Sequence, residues 1–182
     1  MTKRKVCVVI TARPSYSRIR SALFAIHNHP ELELQIVSAA SMLLDRYGQT
    51  VNHVEQDGFT VDARVYMVLE GENLVTSAKT TGLGLIELAT TFDNLQPDMV
   101  ITIADRYETI ATAVAAAYMN IPLVHMQGGE VTGSIDEKVR HAITKLADIH
   151  LVTTEKARER VIRMGEEPSR VFVTGCPSID IA

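Results

Sequence analysis

The sequence predicts an α/β domain built on a doubly wound, mostly parallel, Rossmann-like sheet. Short apolar runs rich in β-branched residues recur along the chain, and a segment with helical spacing follows most of them. The runs are apolar on both faces, as strands are when helices cover a parallel sheet on either side. They fall at 5–10, 34–38, 60–64, 99–103, 122–125, 149–153 and 171–174. Between them Ile19, Leu23 and Ile26 share a helical face, as do Leu85, Leu88 and Leu95, and then Ile143, Leu146 and Ala147. Residues 69–94 read as one long helical region after a polar loop, with Thr80-Thr81-Gly82 and Gly84 as candidate breaks. Such alternation calls for right-handed crossovers. No repeat, low-complexity tract or Pro/Gly-rich linker divides the chain, so residues 1–182 form one domain. Residues 175–182 follow the last strand and are expected to open a hinge to a further, C-terminal domain.

Composition narrows the function classes. A chain of 182 residues with 46% hydrophobic and 22% charged side chains can bury a sizeable core and is not of the disordered type. The net charge of -4 arises from 22 acids and 18 bases interspersed along the sequence. With no run of Lys or Arg, nucleic acid is not an expected partner. The apolar runs are too short to span a bilayer, and the one after Met1-Thr2-Lys3-Arg4-Lys5 is shorter than the core of a signal peptide. No membrane partner is expected. Cys7 and Cys176 stand alone and read as buried thiols of a reducing compartment, which points to the cytoplasm. No His/Cys/Asp spacing suits zinc, no Ser sits in a G-x-S-x-G elbow, and His27, His29, His53 and His150 read as structural or solvated.

Ligands of open parallel sheets bind beyond the carboxyl ends of the strands, so the loops there hold the candidates. The first, Thr11-Ala12-Arg13-Pro14-Ser15-Tyr16-Ser17, lacks GxGxxG, and a nicotinamide cofactor is not expected. It offers Arg13 and hydroxyls such as that of Ser17 beside a helix N-terminus, which attracts anions. Equally, Ser15 or Ser17 can cap that helix, with Pro14 in its first turn. The second loop, Ala104-Asp105-Arg106-Tyr107-Glu108, puts a carboxylate straight after an apolar strand, where burial can tune it for acid/base work. Alternatively Asp105 caps the next helix and Arg106 forms an exposed ion pair.

The third loop is the richest: His125-Met126-Gln127-Gly128-Gly129-Glu130-Val131-Thr132-Gly133-Ser134-Ile135-Asp136-Glu137. Its His ends a strand, its glycines let backbone approach a ligand, and three acids follow. Ser134 to Glu137 fits a capping box, and Arg140 lies four residues past Asp136, on the same helical face. Thr153-Thr154-Glu155 and Thr174-Gly175-Cys176-Pro177 also end strands and are placed to line the same cleft.

Together these loops, the continuation Val139-Arg140-His141-Ala142-Ile143-Thr144-Lys145-Leu146 and the segment Val173-Thr174-Gly175-Cys176-Pro177-Ser178-Ile179-Asp180 carry a resemblance. The chain resembles the N-terminal half of the UDP-N-acetylglucosamine 2-epimerases, in the hydrolysing branch that feeds sialic- and legionaminic-acid-type sugar synthesis. The resemblance implies a two-domain fold of the glycosyltransferase-B type with a UDP-sugar between the halves. It implies elimination of UDP across C1–C2 to 2-acetamidoglucal, followed by addition of water to give N-acetylmannosamine. Asp105 would be an acid/base carboxylate, Asp136 a second one, and Arg13 would lie near the phosphates. Ser17, Arg106, His125, Gln127, Gly128, Gly129, Ser134 and Arg140 would bind substrate. Many relatives carry Glu at the site of Gln127, so here either Glu130 serves as the base or Gln127 only binds sugar hydroxyls. No cofactor is implied, since the elimination needs no redox carrier, and a homo-oligomer (dimer or tetramer) is expected. The resemblance implies a sugar with one acetamido group or two, and the loop residues do not separate these. The alternatives are half of a glycosyltransferase of the same architecture, or a non-catalytic nucleotide-sugar-binding or assembly module.

Overall fold

A computed structural model of the chain describes residues 2–71, 73–103 and 106–180. Its strands are β1 (Arg4–Ile10), β2 (Leu32–Ala39), β3 (Ala63–Val65), β4 (Met99–Ile103), β5 (Leu123–Met126), β6 (Ile149–Val152) and β7 (Val171–Val173). They pair in the order β3-β2-β1-β4-β5-β6-β7, and each ladder is parallel. The helices are α1 (Arg13–His27), α2 (Val51–Gln56), α3 (Leu74–Leu95), α4 (Ile110–Tyr118), α5 (Ile135–Leu146), α6 (Glu155–Arg163) and α7 (Pro177–Asp180). The doubly wound expectation therefore holds. No described helix is long and apolar enough to cross a membrane.

The apolar runs become central strands because both faces are covered. On β1, Cys7 and Val9 join Phe92, Leu88, Val37, Val100 and Ile143 in one buried layer. Val6, Val8 and Ile10 join Ile19, Leu23, Ile36, Val54 and Ile101 in the other. The alternation of side chains along a strand assigns neighbours to opposite cores. Burial pushes the Cys7 thiol up to about 12, with the Asp62 charge adding to it, so the thiol is inert. Cys176 departs from expectation: it is half-buried.

Three aspartates set where strands begin. Asp98 Oδ2 accepts the Lys5 amide at 2.7 Å while its own amide donates to the Lys5 carbonyl at 2.9 Å. Asp62 does the same to Ile36, at 2.7 and 2.8 Å, and Asp148 to Leu123, both at 2.9 Å. Each residue immediately precedes a strand and satisfies both backbone groups of a neighbour. The clip at Asp62 explains why the expected strand at 60–64 starts later, at Ala63.

The long helix α3 runs unbroken through Gly82 and Gly84. Asn73 caps it, accepting from the amides of Val75 and Thr76, while the Thr76 hydroxyl accepts from the Asn73 amide. A Cβ on Gly84 would lie 2.2 Å from the Met67 methyl, so this glycine serves close helix packing instead of a break. Phe92, near the far end, is fully buried. Phe92→Ala is expected to cost about 3–5 kcal/mol through lost burial and the cavity left behind, read as a lower midpoint in denaturant unfolding.

Candidate active site

The chain winds from β1 outward through β2 and β3, then crosses back to β4 on the other side of β1. That reversal opens a crevice at the carboxyl ends of β1 and β4, and parallel pairing brings the other strand exits to the same rim.

At the first exit, α1 begins at Arg13 after extended Ala12, and no side chain caps it. This corrects the capping expectation: Ser15 is buried inside the first turn, and the Ser17 hydroxyl bonds back to the Arg13 carbonyl at 3.3 Å. Ser15 Oγ has no partner among the described residues. Exposed Arg13 and Ser17 line a hollow of about 490 Å³ with Tyr16, Arg20, His53 and Asp57. Asp57 clamps α2 to α1: Arg20 holds it with Nε at 2.7 Å and Nη2 at 2.8 Å, and the Tyr16 hydroxyl donates to it. Those bonds, from Arg20 first and then Tyr16, hold the Asp57 carboxyl low.

At the β4 exit, Ala104 and Asp105 lie outside the described residues, so the leading catalytic candidate has no described position. Arg106 follows. Its partner is not a solvated acid: Glu108, 2% exposed, accepts from Arg106 Nε at 2.7 Å. Glu108 Oε2 has no hydrogen-bond partner among the described residues. Burial pushes the Glu108 carboxyl up, Arg106 opposes this, and the charge of half-buried Asp136 reinforces it. Arg106 and Glu108 line a second hollow of about 290 Å³, shared with Ser41, Leu44, Val68 and Ser77.

The loop after β5 is held from beneath. His125 is fully buried, with Nδ1 3.1 Å from the Thr144 hydroxyl. Its imidazole is pushed down to about 3, by burial first and then by the charges of His150, Arg140 and His141. His125 thus supports the loop and does not line a described hollow, contrary to its expected role as a substrate contact. Gly128 packs on that ring, since a Cβ there would stand 2.9 Å from Nδ1. Gly129, at φ 79°, faces α6, where a Cβ would stand 2.5 Å from the Ala157 carbonyl. Arg160 of α6 donates to the Gly129 carbonyl. Both glycines therefore serve backbone packing against the protein, where open approach to a ligand was expected.

Arg140, 3% exposed, also turns onto the loop, donating to the Glu130 carbonyl at 3.1 Å and the Thr132 hydroxyl at 3.3 Å. Ser134 caps α5 through the Asp136 amide at 3.2 Å. The reciprocal half of the capping box is absent: Glu137 reaches past Ser134 to the amides of Thr132 and Gly133, both at 2.7 Å. These two bonds hold its carboxyl low.

What remains exposed to ligand is a hollow of about 580 Å³ lined by Arg18, Gln127, Glu130, Arg140, Thr153 and Cys176, among others. Thr153 donates to the Glu130 carboxylate, and Gln127 Nε2 lies 3.5 Å from Cys176 Sγ. The exits of β6 and β7 thus meet the β5 loop, as expected. Gln127 sits at φ 62°, a left-handed conformation that a long side chain adopts only when its surroundings impose it. Gln127, Glu130 and Arg140 therefore share one cavity wall. Arg13 and Ser17 line the hollow at the β1 exit and Arg106 the one at the β4 exit, to which Asp136 is tied electrostatically. Sequence reasoning missed Glu108, Arg18 and Arg160. The first was visible only as a charge two residues from Arg106, and nothing marked the other two.

Fold and rim together define a doubly wound α/β domain, with polar side chains gathered around hollows at its strand exits. The chain belongs to the UDP-N-acetylglucosamine 2-epimerase family, which it matches over residues 24–182. It is 37% identical, over 97% of its length and 47% of the relative's, to a hydrolysing UDP-N,N'-diacetylbacillosamine 2-epimerase of Legionella pneumophila. A hydrolysing GDP/UDP-N,N'-diacetylbacillosamine 2-epimerase of Campylobacter jejuni is 35% identical over 96% of this chain and 46% of that protein. The crystal structure of a UDP-GlcNAc 2-epimerase from Neisseria meningitidis bound to UDP-GlcNAc superposes with a TM-score of 0.85 at 20% identity, covering 97% of this chain and 48% of that one. The chain thus spans about half the length of the curated relatives it matches, and its fold is the one expected for half of a glycosyltransferase-B-type protein.

Two stability measurements test how the β5 loop is held. Gly129→Ala combines backbone strain with a clash against the Ala157 carbonyl and should cost about 1–3 kcal/mol in thermal unfolding. The folded state favours neutral His125, so its contribution is complete above the ordinary value of 6.5 and declines as pH falls toward about 3. His125→Asn should therefore flatten the acid side of the melting-temperature profile relative to the parent chain.

Proposed function

We propose that this chain forms the N-terminal wall of a hydrolysing UDP-sugar 2-epimerase site, converting a UDP-N-acetylhexosamine to the free C2-epimer and UDP. The observation that carries the reading is the hollow at the β5–β7 exits, in a chain whose relatives at 37% and 35% identity are both named as hydrolysing 2-epimerases. Elimination of UDP needs a base at C2, stabilisation of the leaving diphosphate, and an acid/base group to guide water onto the glucal.

In this reading Glu130 is the base facing the sugar. Its carboxylate is oriented by Thr153, and its backbone is fixed by Arg140. Gln127 cannot titrate and binds sugar hydroxyls from its imposed conformation. Asp105, directly before Arg106, is the acid/base partner, and Asp136 is a second functional carboxylate. Arg13, exposed at the start of α1, meets the diphosphate together with the N-terminal amides of that helix. Ser17 stands beside it, and Ser134 presents α5 to the site. The substrate partner is a UDP-sugar, no cofactor takes part, and the assembly is a cytoplasmic homo-oligomer.

The chain spans 47% of the first relative, so the uridine and diphosphate contacts of the other half belong to the complete site. The 182-residue chain alone should accordingly show no steady UDP release in a coupled assay with UDP-N-acetylglucosamine. When joined to the family's second half it should release UDP and the free epimer, and Asp105→Asn should abolish that release with the melting temperature unchanged. Turnover by the chain alone would overturn the half-site reading. Transfer of the sugar to an acceptor, with no free epimer seen by NMR, would turn the assignment to a glycosyltransferase.

A further inference from the structure

Helix α3 carries a surface that the fold of this chain leaves unused. The helix packs inward through Leu88 and Phe92, yet its outer face holds Val75 at 62% exposure and Ile86 at 64%. Seven residues to either side of Ile86 stand Lys79 and Asp93, both exposed. A spacing of seven returns to nearly the same face of a helix, so these three side chains form a line about 21 Å long with the apolar one at its middle. Gly82 lies on the same face, between Lys79 and Ile86, and a Cβ built there meets nothing within 4 Å. Packing against Met67 accounts for Gly84, whereas no described contact calls for glycine at 82, a residue that weakens a helix interior.

The charges in this line are unused as well. Neither Lys79 nor Asp93 forms an ion pair among the described residues. Asp93 Oδ1 meets Gln96 Nε2 at 3.4 Å, and the residue stands in the last turn of α3, the end at which a helix dipole disfavours an acid. A second α3 laid antiparallel, about a two-fold axis at Ile86, answers each of these features. Ile86 then covers the partner's Ile86, and Lys79 meets the partner's Asp93 at both ends. Gly82 falls opposite the partner's Thr90 and lets the backbones approach at the near end of the usual separation of about 8–10 Å between packed helices. A parallel pair would set Lys79 against its own copy and Asp93 likewise, so the order of charges selects the antiparallel one. Any other occupant would have to supply an acid, an apolar group and a base at this same spacing; a second copy supplies them by symmetry.

We propose that the outer face of α3 is the surface through which two copies of this chain pair, antiparallel about Ile86, with Lys79–Asp93 contacts at both ends. The proposal names a face for the homo-oligomer reading and rests on that part of it; the UDP-sugar chemistry plays no part in the argument.

Sedimentation velocity of the 182-residue chain at about 50 µM should show a dimer. Ile86→Arg places two like charges at the axis and should weaken association about a hundredfold, giving a monomer with an unchanged circular-dichroism spectrum. Lys79→Asp alone, or Asp93→Lys alone, sets like charges against each other at both ends and should weaken it about tenfold. Carrying both substitutions reverses each pair without repulsion, so the double variant should regain the parent dimer. A double variant as weak as the singles, or a dimer that survives Ile86→Arg, would overturn this face while leaving homo-oligomerisation standing. A parent chain that stays monomeric overturns both. The epimerase reading is judged by UDP release and is separable from each of these outcomes.

Discussion

Parallel pairing of all the strands is the constraint from which the rest follows. Each strand must be reached by a crossover, so the strand exits are collected at one rim and the starts at the other. The two rims are finished differently. On the entering side Asp62, Asp98 and Asp148 close backbone hydrogen bonds that a neighbouring strand would otherwise leave open. Those carboxylates are spent on the fold. On the leaving side the backbone groups are met by loops, and the acids there, Glu108, Glu130 and Asp136, are tied to side chains or partly exposed. Acids that lock strands at one end and acids that face hollows at the other look alike in composition; position in the ladder separates their roles.

The β5 loop shows how much structure stands behind a few exposed side chains. Neutral His125 lies below it, Gly128 and Gly129 let it sit against that ring and against α6, and Arg140 and Arg160 bond its carbonyls. The cost is a buried imidazole whose protonation is strongly disfavoured, a buried guanidinium, and a glutamine held in the left-handed region. Such costs are tolerated where geometry must be held closely, because a loop free to rearrange would lose the orientation that a reacting group requires. Arg140 and His125 therefore hold the segment that carries Gln127 and Glu130.

The sequence was informative wherever a local pattern coincided with a structural need. The β-branched runs became strands with edges moved by a few residues, and the spacing of Ile19 and Leu23 or of Leu88 put those residues in the core. Ser134 caps its helix because Ser followed by acids is a local signal. Patterns misled where a distant contact intervened. Gly84 looked like a helix break, yet the nearby Met67 side chain explains it; Gly128 looked like a ligand approach, yet His125 and Thr144 explain it. Arg140, four residues past Asp136 on the same helix, is buried and donates to the Glu130 carbonyl and the Thr132 hydroxyl, contacts that spacing alone did not reveal. Periodicity says which residues share a face and not what that face meets.

The division of the rim into separate hollows bears on how one substrate could be read. Near Arg13 the loops present exposed cations at a helix start, suited to phosphates. Around Gln127 and Glu130 a carboxylate is held by a hydroxyl at the edge of a half-open cavity, suited to a reacting carbon and its hydroxyls. Around Glu108 a buried carboxylate is ion-paired to exposed Arg106, and exposed Arg46 lines the same hollow. An anionic nucleotide and a reacting ring are chemically distinct parts of one nucleotide sugar. A rim that offered one undivided basic cleft would bind the phosphates well and tell sugars apart poorly, since charge attracts without reading shape.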